Sequence, residues 1–131
     1  MRTLHDHEVN YLNQQISVRV LDEPDHGLSG GACHHYDVVD RPIPDGCVPS
    51  EDEVLGVIKF QKGPVRPDNI NGVTNESLIA IVLDRLRAYQ RGSFSCRENA
   101  ITIAKLEEAL MWQHKRTLDR MRRGVEGRHE A

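Results

Sequence analysis

NGVTNESLIAIVLDRLRAYQRGSFSCRENAITIAKLEEALMWQHKRTLDRMRRG, residues 71–124, decides the fold. Asn71-Gly72 is turn punctuation. Thr74 is placed to cap a helix, and Glu76 falls in the first turn, where the helix dipole favours a negative charge. Leu78, Ile79, Val82, Leu86 and Tyr89 then share roughly 100° of arc at about 100° per residue. Ile81 and Leu83 lie outside that stripe, which predicts a helix covered on more than one side, with a second subunit as one possible cover. RGSF (91–94) ends it. Ser95 and Glu98 read as an S-x-x-E capping box. No proline follows, so a second helix is expected to run to Arg123, with Gly124 as its left-handed terminator. At about 1.5 Å per residue it reaches on the order of 40 Å, more than a small core supports. Its apolar stripe is Ile103, Leu106, Leu110, Leu118 and Met121. The tight link predicts an antiparallel helical hairpin.

Upstream the chain is turn-rich, with Pro24, Pro42, Pro44 and Pro49 and with Gly27, Gly30, Gly31 and Gly46. Ile16, Val18 and Val20 alternate with Ser17 and Arg19, the period of a half-buried strand. His34 to Val39 and Leu55 to Phe60 are two further strand candidates. The proline-rich, acidic stretch 41–53 reads as a loop, and Gly63-Pro64 punctuates a long turn over 61–73. The expected class is α+β, a small antiparallel β-sheet in the N-terminal half followed by a C-terminal two-helix antiparallel hairpin. One domain is expected over 1–131, made of a strand and loop-rich part (1–73), the hairpin (74–124) and a tail (125–131). No internal repeat is present.

The chain has 131 residues, a net charge of −3 and only six aromatic side chains: Tyr11, Tyr36, Phe60, Tyr89, Phe94 and Trp112. Residues 1–84 carry a net −8 and residues 85–131 a net +5. An acidic front and a basic back point to a bound anion or a paired subunit, whereas the overall acidity argues against coating DNA or RNA polymers. No apolar run spans a membrane and the first residues lack the apolar stretch of a secretory signal. Cys33, Cys47 and Cys96, odd in number and widely spaced, read as reduced thiols of a cytosolic protein.

The second helix carries a polar strip. With Ile103 at zero, Ala109, Gln113, Arg116 and Arg120 fall between about 220° and 280°, and Asn99 near 320°. Arg116 and Arg120 stack one turn apart, and two guanidinium forks at that separation suit a diphosphate, which lysine cannot grip in paired fashion. Tyr89 offers a flat face to a purine. The plainer reading is that these arginines pair with Glu107, Glu108 or Asp119 or sit in water, and that Tyr89 is a core-edge residue. Cys33-His34-His35, even with His5 and His7, lacks the two spaced ligand pairs of a zinc site. A turn followed by a strand accounts for it, so no metal is expected. No cysteine nucleophile has a local base, no carboxylate sits in a catalytic motif, and the glycines lack the phosphate-loop pattern. No catalytic residue and no cofactor is expected.

The string ENAITIAKLEEALMWQHKRTLDRMRRGVEGRHE (98–130) resembles the C-terminal hairpin of the phage Thoeris anti-defence signal sponges. The K-L-E-E-A-x-M-W core at Lys105 to Trp112 is similar to that of the related phage anti-CBASS sponges. GACHHY (31–36), FQKGP (60–64) and NGVTNESLIAIVLDRLRAYQRGSFSCRENA (71–100) resemble the longer Thoeris type in the same order. Residues 1–30 and 41–53 match no such motif.

The resemblance implies a protein that binds the cyclic ADP-ribose isomers made by TIR-domain enzymes, glyco-cyclic ADP-ribose among them, without cleaving them. It implies a homodimer or hexamer acting in the cytoplasm of the infected bacterium. The family aromatic at the end of the first helix falls on Tyr89, where phenylalanine is frequent. The asparagine of E-N-A is Asn99, and the arginines of R-T-x-x-R are Arg116 and Arg120. Arg97 matches an arginine tied in some relatives to a second site for cyclic di- or trinucleotides, with Arg66 or Lys62 as a companion. An enzyme degrading the same nucleotide and a helical hairpin that grips a host protein are the alternatives.

Overall fold

The computed structural model describes residues 1–9, 15–27, 30–44 and 46–124. The expected tail 125–131 and Tyr11 lie outside the described residues. The chain forms two compact units, Met1–Gly63 and Pro64–Ala131. Gly63 sits at φ 77°, a left-handed conformation that favours glycine, and proline follows it.

The first unit is a four-stranded antiparallel meander, β1 (Arg2–Leu4), β2 (Ser17–Val20), β3 (His35–Val39) and β4 (Val54–Lys59), in sequence order. The last three strands fall where the sequence places them. β1 was not expected, because three residues are too few to show a period. Residues in register share a face. Leu4, Val18, Val38 and Gly56 line up on one side, and Thr3, Arg19, Asp37 and Val57 on the other. Val38 pairs with Gly56 and Val39 with Val54, so Leu55 is the extra residue of a bulge on the edge strand β4.

The second face is the unusual one, because Arg19 and Asp37 are buried in it. Arg19 donates from Nε and Nη2 to the two Asp37 oxygens at 2.9 and 2.7 Å, a paired fork. Its Nη1 reaches the Cys47 carbonyl at 3.1 Å. The 41–53 loop is thereby tied to the sheet, and Ile43 of that loop is buried. Asp40 N–H donates to the Glu53 carbonyl, and the Glu53 carboxylate takes Ser50 and Arg41. Hydrogen bonds from Ser50 and then Arg41 hold that carboxyl below its ordinary range.

The second unit is a helical hairpin, α1 (Asn75–Gln90) and α2 (Arg97–Arg122), joined by residues 91–96. Thr74 caps α1 as expected, accepting from Ser77 N–H, while Ser77 Oγ accepts from Thr74 N–H and completes the box. The start of α2 differs from the Ser95–Glu98 expectation. Cys96 is the cap, its sulfur accepting from Asn99 N–H at 3.4 Å. The reason is Gln90, whose side chain donates to Cys96 O at 3.1 Å and accepts from Cys96 N–H at 2.9 Å. That bracket holds Cys96 extended and starts the helix at Arg97. Gly124, at φ 71°, ends α2 as expected.

Both apolar stripes are turned from their expected lines. Leu83, placed outside the α1 stripe, is its most buried residue at 1% exposure, while Val82 is exposed. The row that α2 covers therefore runs through Ile79, Leu83 and Leu86. On α2, Ile103, Leu106 and Leu110 are half-buried but Leu118 and Met121 are exposed. Gln113, Thr117 and Arg120 are half-buried instead. Asn75, the first residue of α1, already lies by Gln113, so the last turns of α2 have no α1 opposite them. Neither helix is long and apolar enough to cross a membrane.

Candidate nucleotide site

Each end of the hairpin holds half of the expected ligand residues. At the link end, Tyr89 is half-buried in the last turn of α1 and Asn99 in the first turn of α2. Asn99 Nδ2 donates to the Phe94 carbonyl at 3.3 Å. Phe94 meets the Tyr89 ring edge-on, with centroids 5.8 Å apart at 89°, and the Arg85 guanidinium lies 5.2 Å from the Tyr89 centroid. Sequence reasoning did not find Arg85 or Phe94. The four-residue spacing of Arg85 and Tyr89 was a usable signal; Phe94 was read only as link.

At the other end, Arg116 is exposed and Arg120 half-buried, one turn apart on α2. Two of the acids near them in sequence, Glu107 and Asp119, pair with other cations. Glu107 pairs with Arg87 at 2.9 Å. Asp119 takes Lys115 at 2.7 Å and Arg122 at 3.5 Å, and the Lys115 hydrogen bond leads in holding its carboxyl below the ordinary range. Arg116 makes no ion pair with a described residue. Asn99 and Arg116 are separated along α2 by roughly 26 Å at about 1.5 Å per residue. One chain therefore does not bring the four expected ligand residues together.

Between the helices runs an apolar groove of 510 Å³ lined by Asn75, Leu78, Ile79, Ala109, Trp112 and Gln113. Trp112, 61% exposed, and the neighbouring Met111 leave much apolar surface in water. Arg97 is exposed at the first position of α2, and Arg66 is exposed and 3.7 Å from Asp68 in the segment before α1. In the first unit, Asp22 accepts from the backbone N–H groups of His34 and His35 at 2.9 and 3.1 Å, and Cys33 Sγ donates to Asp22 O at 3.6 Å. His5 bonds Glu8 and His7 the Ile16 carbonyl. Among the described residues no cluster of three or more histidine, cysteine or acidic side chains is placed to hold a metal ion. All three cysteines are free.

The family described as Acb2/Tad1, hairpin domain, matches residues 52–118. That stretch holds α1, most of α2, and Tyr89, Asn99 and Arg116, with Arg120 two residues beyond it. The chain is similar to Thoeris anti-defense 1 of Bacillus phage SBSphiJ7, 58% identical over 76 residues, which is 58% of this chain and 54% of the relative. It spans about half the length of that relative. With the matched stretch covering half of the chain and most of both helices, this protein belongs to the Acb2/Tad1 hairpin-domain family.

Proposed function

We propose that this is a phage anti-defence protein that binds and sequesters a cyclic ADP-ribose isomer, with glyco-cyclic ADP-ribose the leading candidate, and releases it intact. The observation that carries this reading is the division of the ligand residues between the two ends of one hairpin. Two hairpins packed antiparallel about a twofold axis bring Tyr89 and Asn99 of one copy to Arg116 and Arg120 of the other, twice. The exposed Trp112 groove supplies the apolar surface such pairing buries. The tyrosine ring stacks the adenine, Asn99 accepts from a ribose hydroxyl, and the two guanidinium forks hold the diphosphate.

A sponge acts by holding on. A nanomolar Kd is about −12 kcal/mol, which a small ligand reaches only when largely enclosed by a preformed pocket. A site made by two chains encloses in that way. The 58% identical relative is named for action against Thoeris defence, which supports the same setting, the cytoplasm of an infected bacterium. Cyclic di- or trinucleotides at a second site that uses Arg97 and Arg66 belong to the same reading.

Calorimetry with glyco-cyclic ADP-ribose, followed by heat release and chromatography of the ligand, tests the proposal. Tight binding with recovery of intact ligand is expected. Absence of binding across several TIR products sinks the reading, and consumption of ligand by substoichiometric protein replaces it with an enzyme. Arg116→Ala or Arg120→Ala is expected to weaken binding by about 2 kcal/mol or more through loss of a charge-assisted bond.

A further inference from the structure

Resting on the binding reading above, we propose that Arg85 is a positioning residue that fixes the Tyr89 ring on which the base of a nucleotide stacks. The argument starts with helix geometry. Arg85 and Tyr89 are four apart on α1, so their side chains lie over one another on one face. The guanidinium carbon sits 5.2 Å from the ring centroid, within the range of cation–π attraction. Arg85 makes no ion pair with a described residue, so no carboxylate competes for it. The guanidinium lies over the ring, where its delocalised charge attracts the ring's electron-rich face.

Phe94 packs against the same ring in a T-shaped contact, with centroids 5.8 Å apart at 89°. Phe94 is itself held, because Asn99 Nδ2 bonds its carbonyl and the Gln90 bracket fixes the end of the link. The tyrosine is thus constrained by two neighbours, Arg85 and Phe94, before any ligand arrives. An adenine would stack on the ring held in this way. A ring already in its bound orientation loses less freedom on binding, which raises affinity without any contact between Arg85 and the ligand. The specificity that follows is for ligands carrying a flat aromatic base.

The test is a double-mutant cycle read by calorimetry with glyco-cyclic ADP-ribose, together with the NMR shifts of the Arg85 side chain. In the wild type, ring current from Tyr89 should move the Arg85 δ protons upfield, and Tyr89→Leu should abolish that shift. Arg85→Ala is expected to weaken binding about tenfold in the wild-type background and to add nothing in the Tyr89→Leu background. Arg85→Lys should recover most of the loss. Equal losses in both backgrounds would assign Arg85 a direct attraction for phosphate and overturn the proposal, as would wild-type affinity in Arg85→Ala, with the binding reading intact in both cases. A wild-type protein that shows the ring-current shift but binds no ligand would remove the binding reading and this inference with it.

Discussion

Arg19 and Asp37 are the most informative single residues of the first unit. Charged groups are buried only when paired, and here both carboxylate oxygens are used, with the third guanidinium donor spent on Cys47 O. The hydrogen bonds from Arg19 to Asp37, set against the cost of burial, hold the guanidinium pKa above its ordinary value. Asp37→Ala leaves a buried cation and should cost about 3–5 kcal/mol, while Arg19→Met with Asp37→Leu should cost much less, read from urea denaturation midpoints. None of this was legible in the sequence. The alternation around Val18 marked a strand, but the partner that buries its polar residues comes from a proline-rich loop far along the chain.

Asp22 makes a related point. Desolvation raises its pKa, but the N–H groups of His34 and His35 together outweigh it and lower the value below the usual 3.8. A lowered carboxyl pKa stabilises the fold above the unfolded value, and that contribution is lost as pH falls through the folded one. Asp22→Asn should therefore flatten the acid limb of a stability–pH curve below about pH 4; an unchanged limb would refute the role.

At the scale of elements, the two helices and three of four strands were readable because each carries its own period. Their starts and buried faces were less so. Thr74 was found because its box is local, and Thr74→Ala should cost about 1 kcal/mol in thermal unfolding. The α2 cap was misplaced because Gln90, on the previous helix, decides it. A thiol accepts hydrogen bonds weakly, so Cys96→Ser should raise stability by about 0.5–1 kcal/mol. The stripes turned because hydrophobicity marks which residues can be buried, whereas the partner helix selects which are. Leu83 is covered and Val82 is not for that reason alone.

At the scale of the whole molecule, α2 outruns α1 and leaves Leu118 and Met121 uncovered beside Arg116 and Arg120. The four proposed ligand residues were nameable from resemblance, and the gap of several turns between Asn99 and Arg116 was legible from their spacing on one helix. A composite site makes a distinctive prediction. Tyr89→Ala and Arg116→Ala proteins, each weakened at both of its sites, should regain a fraction of sites with wild-type affinity when unfolded together and refolded, because a mixed dimer has one intact site and one doubly damaged site. With random pairing, about one site in four returns; no recovery would place the whole site within one chain. The division of the chain at Gly63–Pro64 has a further consequence. Every residue in the proposed ligand chemistry lies after that joint. A recombination between phage genomes at this point would hand over the complete recognition surface on one fragment, so the sheet can be exchanged or rewritten while the recognised ligand is inherited unchanged.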